Sequence, residues 1–203
     1  MKILLTAFEP FGGEGTNASL EAMKRINAPP GVTLIRLEVP TVFGLAGERV
    51  LRAVREEKPD AVVCLGQAAG RSAVTPERVA INLRDASIPD NAGNMPKEEP
   101  VVPGGPAAYF STLPIRAMVT RAQAAGVPAA ISNSAGTFVC NDLMYALLHA
   151  LSNDFPEIIG GFIHVPACTP LEKDPSVPLL STEKAVDAIQ AMLAVIEEES
   201  SCR

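Results

Sequence analysis

Histidine is scarce in this 203-residue chain: there are two, His149 and His164, so any histidine-dependent chemistry uses one of them. Cysteine is nearly as sparse. Cys64, Cys140, Cys168 and Cys202 include no Cys-x-x-Cys pair, so the spacing of a zinc site or a thioredoxin-type motif is missing. Neither Gly-Lys-Ser/Thr nor Gly-x-Gly-x-x-Gly occurs, which leaves no phosphate-loop or dinucleotide fingerprint. A basic excess is also absent: 17 Lys+Arg stand against 23 Asp+Glu, a net charge of −6. General binding to nucleic acid or an anionic membrane wants the opposite sign. Apolar runs are short, and Ile158 to Pro166 falls well below the ~20 residues of a membrane-spanning helix. The first residues read as a strand rather than as a basic, apolar and cleavable leader, so a cytoplasmic protein with reduced thiols is expected. Neither a linker nor an internal repeat interrupts the chain, so residues 1–203 are expected to form one domain, with no metal or cofactor.

What is present suits a large core. Apolar residues make up 47% of the chain, and a domain of this size buries roughly 70% of the surface its unfolded form exposes. Short β-branched runs alternate with helical periods. Strands are expected at Ile3–Phe8, Thr33–Val39, Ala61–Leu65, Val79–Leu83, Ala129–Asn133 and Ile158–Val165. Helices are expected at Ala18–Ile26, Gly44–Glu57, Pro114–Ala125, Asp142–Leu151 and Thr182–Glu198. The run Ala61-Val62-Val63-Cys64-Leu65 is apolar throughout, as in a strand covered on both faces. This alternation predicts right-handed βαβ units: an α/β, three-layer α/β/α domain with an open, twisted, mostly parallel sheet. One stretch breaks the rhythm. Ala86 to Tyr109 is rich in Pro, Gly, Asn and charge, and a loop of this length is usually functional, exchanged with a partner, or mobile. Glu197 to Arg203 reads as a fraying tail, with Cys202 incidental.

The chemistry concentrates in two places. In the first, a strand ending at Asn133 runs through Ser134-Ala135-Gly136-Thr137-Phe138-Val139 to Cys140, and Asn141 and Asp142 are good helix starters. Cys140 is then at or just before a helix N-terminus, where the dipole lowers a thiol's pKa and free N–H groups can hold an oxyanion. Cys64 lies inside an apolar strand and reads as core. Cys168 follows Pro166-Ala167 near His164 but has no helix start. In the second, His164 ends a strand, at the sheet edge where ligands bind in open α/β folds. His149 lies about 13 Å along the helix that Cys140 begins, too far to reach the thiol. A histidine base needs a group to hold its tautomer, and spacing leaves Glu77, Asp85 and Asp90 open.

Several blocks, in order and with natural spacing, carry a family resemblance. They are Leu4 to Gly13 with Asn17 after it; Pro40-Thr41-Val42-Phe43; Leu65-Gly66-Gln67 followed by Arg71; Glu77-Arg78-Val79-Ala80-Ile81-Asn82; Ile88-Pro89-Asp90-Asn91; Ser132 to Gly136 leading to Cys140-Asn141; and Phe162-Ile163-His164-Val165-Pro166. Over nearly its whole length the chain resembles the pyroglutamyl peptidase I family. The resemblance implies a phosphorylase- or hydrolase-like fold and a Cys140–His164–Glu77 catalytic set. It also implies removal of N-terminal pyroglutamyl residues through a thioester on Cys140, and a homo-oligomer, tetramer or dimer. Its substrate pocket maps to Phe8, Phe11, Phe138 and Val139, whose faces and side chains suit a flat, neutral lactam. Gln67 and Asn17 would serve as polar partners of the ring. Two positions depart from the family pattern: Ser87 stands where arginine is frequent, and Ala69 where glycine is usual. The competing expectations are a nucleoside- or phosphate-binding enzyme of phosphorylase-like fold, suggested by Gly12-Gly13, and an inactive interaction module.

Overall fold

The computed structural model describes residues 1–172 and 174–201, with side chains through residue 199. Strands β1 (Lys2–Phe8), β2 (Thr33–Val39), β3 (Ala61–Gln67) and β7 (Ile159–Val165) form a parallel sheet. A two-residue strand, β4 (Thr75–Pro76), pairs antiparallel with β7 and completes the order β2-β1-β3-β7-β4. Residues of β1, β3 and β7 are buried almost without exception, which explains why these segments carry no polar alternation.

Helices cover both faces. On one, α1 (Ala18–Arg25), α3 (Ile115–Ala124) and α5 (Thr182–Ser201) pack over Ile3, Leu5, Ala7, Val63, Leu65, Ile163 and Val165. The inward residues of α5 (Ala185, Ala188, Ile189, Met192, Leu193, Ile196) recur at helical spacing and are essentially fully buried. On the other face, α2 (Leu45–Glu57) and α4 (Val139–Asp154) cover Leu4, Val62, Cys64 and Phe162. Helix α4 buries ten of its sixteen residues. Each large apolar side chain there contributes roughly 1.5–3 kcal/mol on leaving water, so the helix carrying Cys140 is firmly seated.

The α/β/α architecture and the parallel sheet agree with the sequence reading, but four local expectations differ. First, Ala129–Asn133 is not a regular strand. It makes only isolated pairings, Val74 with Ala129 and Glu77 with Ser132, because it lies outside β4 at the sheet's ragged edge. Second, the Val79–Leu83 segment narrows to β5 (Val79–Ile81), which leaves the main sheet and pairs with β6 (Ala108–Phe110). Third, α5 continues through Ser201 rather than fraying from Glu197, while Cys202 lies outside the described residues. Fourth, α4 begins at Val139, three residues earlier than Asn141 and Asp142 suggested. Those two side chains turn away from the helix start. Asn141 exchanges hydrogen bonds with Ile81 and reaches Leu83, and Asp142 accepts from the Gly44 amide and Arg84. They fasten α4 to neighbouring loops instead of capping it.

Apart from β6 at its end, the Ala86–Tyr109 stretch is tied down by polar groups rather than by regular structure. Asn82 bonds to Val102 and Gly105, Tyr145 donates to the Pro106 carbonyl at 2.6 Å, and Tyr109 pairs with His149 at 2.9 Å. His149 therefore serves the loop, away from the sheet edge.

Candidate active site

The parallel strands end together at Phe8, Gln67 and Val165, and the turns beyond them build the site. His164 is one residue short of the end of β7 and is paired in register with Gly66 of β3. A β-carbon placed on Gly66 would lie 3.1 Å from the Cys140 sulfur and 2.7 Å from the Phe162 ring. The missing side chain at residue 66 is the space in which the thiol sits, beside the strand position that carries the histidine. Phe162 stacks at a tilt on the imidazole with centroids 4.7 Å apart, and Phe8 supports Phe162 from behind at 6.3 Å. No hydrogen bond joins the sulfur to the imidazole among the described residues. Such contacts often tighten only in the complex with substrate.

Of the three acids left open, geometry selects Glu77. Its Oε1 accepts from His164 Nδ1 at 2.7 Å and from Arg71 Nη1 at 2.6 Å. The carboxylate is fully buried, and Oε2 takes no hydrogen bond. Ser132, within electrostatic reach, donates instead to the Ser134 carbonyl. Asp85 is exposed and faces Lys97. Asp90 serves architecture: its two oxygens take the Phe43, Ala92 and Asn94 amides and the Asn94 side chain. Burial pushes the Glu77 carboxyl up, but the His164 hydrogen bond and charge outweigh it, with smaller help from Ser132 and Arg71, and hold it below its ordinary value. Burial pushes His164 down from its ordinary value against the pull of Glu77, and Arg71 lowers it further.

Cys140 departs from expectation in its acidity. Crowding by protein atoms, reinforced by the Glu77 carboxylate, pushes its thiol up to about 12 despite its own backbone N–H and Arg71. The residue keeps partial contact with solvent, and burial favours the neutral form of both the thiol and the imidazole. The helix start does not supply a preformed thiolate. It supplies donors. Phe138 occupies the N-cap position and has no side-chain acceptor to offer, so the first-turn N–H groups of α4 remain uncapped beside the sulfur.

The proposed pocket residues divide into two groups. Phe11 and Phe138 are half-buried with ring centroids 6.1 Å apart, and both can face a ligand. Gln67 keeps a role on the page as well. Its Oε1 accepts the Ala18 amide at 2.7 Å, and its NH₂ makes no hydrogen bond among the described residues. The other three are structural. Phe8 is the buried support behind Phe162, and Val139 is wholly inside the core beneath α4. Asn17 is buried and caps α1: its Oδ1 accepts from the Ser19 amide and hydroxyl, and its Nδ2 donates to the Glu9 carbonyl. Sequence reasoning passed over Phe43, half-buried with its ring edge-on to Phe138 at 5.3 Å. The signal was available in the Pro40–Phe43 block, but its link to the site runs through Asp90, 47 positions away. Cys168 packs against the core of the α1/α3/α5 face, opposite the face that holds Cys140. Ser87 and Ala69 are exposed.

A thiol at a helix start, next to a strand-end histidine held by a buried carboxylate, defines a cysteine hydrolase built on an open α/β sheet. Residues 1–199 match the family model for pyroglutamyl peptidase, and the chain belongs to that family. It is 48% identical to the pyrrolidone-carboxylate peptidase of Levilactobacillus brevis over 97% of both chains, and 50% identical to that of Enterococcus faecalis over 95% of this chain and 92% of the relative. Among solved structures, Bacillus amyloliquefaciens pyroglutamyl peptidase I superposes with a TM-score of 0.92 at 44% identity, covering 97% of each chain. A Pyrococcus furiosus pyrrolidone carboxyl peptidase mutant superposes with a TM-score of 0.91 at 41% identity, covering 98% of this chain and 99% of the other.

Proposed function

We propose that this chain is a cysteine peptidase that removes an N-terminal pyroglutamyl residue, with Cys140 as nucleophile, His164 as base and acid, and Glu77 orienting the imidazole. The observation that carries the assignment of roles is the shared position of Gly66: one strand residue borders the thiol and is paired with His164, whose far nitrogen is held by Glu77. With a hydrogen on Nδ1 donated to Glu77, Nε2 is left as the acceptor.

The reaction follows from a neutral pair. As Cys140 attacks the pyroglutamyl carbonyl carbon, His164 Nε2 takes the thiol proton, and the uncapped N–H groups of α4 receive the oxyanion. The imidazolium then donates that proton to the leaving amine, and a thioester remains on Cys140. Water, losing a proton to His164, releases pyroglutamate and restores the thiol. The half-buried rings of Phe11, Phe138 and Phe43 offer faces to the flat lactam, and the Gln67 amide offers a donor to its carbonyl. A substrate with a charged terminal amine would lose its hydration there without a compensating carboxylate from the pocket.

The chain is also read as a cytoplasmic homo-oligomer acting on peptides without cofactor. Three free cysteines among the described residues support a reducing compartment, and a 70%-exposed Phe110 supports association with a second copy. The test of function is a fluorogenic assay comparing pyroglutamyl, prolyl and alanyl substrates, with and without a thiol-alkylating reagent. Release of the pyroglutamyl group alone, abolished by alkylation, is expected. Equal turnover of the prolyl substrate would remove the lactam assignment.

A further inference from the structure

Two donors, not one, converge on the Glu77 carboxylate, and only Arg71 is a permanent cation. Arg71 Nη1 and His164 Nδ1 meet the same oxygen, Oε1, while the buried Oε2 stays empty. Arg71 is braced for this position. Nη1 also donates to the Thr75 hydroxyl at 2.5 Å, and Nη2 reaches the Ser134 carbonyl at 3.1 Å, in the loop that leads to Cys140. Gly70, with φ +84, turns the chain so that Arg71 can fold back toward β4.

We propose that Arg71 is a positioning residue of the reaction: by occupying the oxygen that holds His164, it keeps the Glu77–His164 pair at one net negative charge and leaves Nε2 free to receive the thiol's proton. Without Arg71, a buried carboxylate would face only the imidazole, and taking up a proton would make the pair neutral in a site that disfavours net charge. Whether that proton settled on nitrogen or oxygen, it would belong to the pair. The pair would then be filled before the thiol could use it. With Arg71 in place, the anionic pair is already balanced by a fixed cation, so the proton is not needed. The groups facing His164 are Glu77 from the β4–β5 turn, Arg71 from the β3–β4 turn, Cys140 from α4 and the uncharged ring of Phe162. Arg71 is therefore the one permanent cation among them. Its lowering effect on both His164 and Cys140 points the same way.

This inference rests on the catalytic roles proposed above, and its test can fail separately from them. The readout is the titration of the His164 ring by nuclear magnetic resonance, its signals assigned with the His149→Asn variant, together with the acid limb of kcat/KM for a pyroglutamyl substrate. Arg71→Gln and Arg71→Met remove the charge, and both are expected to raise the His164 midpoint and the acid limb together, by about one pH unit or more. Arg71→Lys keeps the charge without the planar fork, so its midpoint is expected near that of the unmodified protein even where the rate falls. Thermal melting establishes that each variant is folded. An unmoved midpoint in Arg71→Gln, with a lower rate, would reduce Arg71 to a tether for Ser134. An unmoved midpoint with a raised KM would make it a substrate contact. A midpoint in Arg71→Lys as high as in Arg71→Gln would show that the fork, not the charge, matters. Each of these outcomes overturns the proposal. The ring titration reads out whether or not Cys140 is the nucleophile.

Discussion

Cys64 and Cys140 lie on the same face of the sheet, close enough for each to feel the other, yet they belong to different regions. Cys64 is in the interior of β3, wholly buried, with its thiol pushed up to about 12 by burial against the hydroxyl of Thr6. Cys140 is at the carboxyl edge of the same sheet, and its thiol is pushed equally high. Acidity therefore does not separate them. What separates them is a proton acceptor: next to Gly66 the neighbouring strand carries His164, whereas next to Cys64 it carries Phe162 and, on the other side, Thr6. On the roles proposed above, reactivity comes from where a base stands, not from a thiol ionised in advance.

Substitution separates the two cysteines furthest. Cys140→Ala is expected to lower kcat for a pyroglutamyl substrate by about 10⁴-fold or more, since the thioester route is lost entirely. Cys64→Ala is expected to keep activity within about an order of magnitude and to cost on the order of 1 kcal/mol of stability, as a small buried group is removed. Turnover assays and melting curves on the two variants check both. Activity surviving in Cys140→Ala would sink the assignment.

Gly66 joins the two regions, and its substitution is the next largest effect. An added methyl would meet the Phe162 ring at 2.7 Å and the Cys140 sulfur at 3.1 Å. The buried ring cannot yield easily, so the sulfur is displaced. A misplacement near 1 Å costs on the order of 10² in rate. Gly66→Ala should therefore lower kcat about a hundredfold with KM little changed, measured by steady-state kinetics. The opposite split, a raised KM at constant kcat, would mean that the glycine makes room for substrate rather than for the thiol.

Legibility in the sequence follows the same division. The interior was read nearly to the residue. β1, β3 and β7 are apolar runs buried on both faces, and β2 is a half-exposed edge strand of β-branched and alternating polar residues; period and composition suffice to find them. The placements of the two candidate residues were legible for different reasons: His164 lies next to the end of such a strand, and Cys140 lies at a helix start. The edge was harder. Ala129–Asn133 has strand composition, but its pairing partner is two residues long. Asn141 and Asp142 have the composition of a helix start but spend their side chains on Ile81, Leu83, Gly44 and Arg84. Asn17 and Val139 belong to the right blocks and point the wrong way. Phe43 reaches the site through its ring contact with Phe138, and its backbone is held by Asp90, 47 residues distant. Which side chain faces a pocket is set by long-range hydrogen bonds, and local pattern does not record them.

Aromatic residues give a smaller version of the contrast. Phe8 is buried behind Phe162, and Phe43 is half-buried against Phe138 at the pocket. Truncating Phe43 removes an aromatic contact worth about 0.5–1.5 kcal/mol beyond its area, so Phe43→Ala should raise KM about three- to tenfold while the melting temperature falls little. Phe8→Ala should do the reverse, lowering stability by about 3–5 kcal/mol as a buried ring is lost. Equal effects of the two on KM would return Phe8 to the pocket wall.

The smallest effect is in pH, and its sign follows from the neutral resting pair. On the roles proposed above, activity needs His164 unprotonated. Its folded value lies below the ordinary 6.5, because burial opposes the imidazolium more strongly than Glu77 supports it. The acid limb of kcat/KM should therefore fall below pH 6.5, with full activity retained at neutrality. Burial pushes the Cys140 thiol up to about 12, so no rise in kcat/KM attributable to thiol ionisation is expected between pH 7 and 9. A preformed thiolate–imidazolium pair would give a different curve, active where the imidazolium persists and failing as it deprotonates. A profile that declined between pH 7 and 8 would place the charges on the pair before substrate arrives. That result would return Cys140 to the ionised thiol that its helix start, taken alone, suggests.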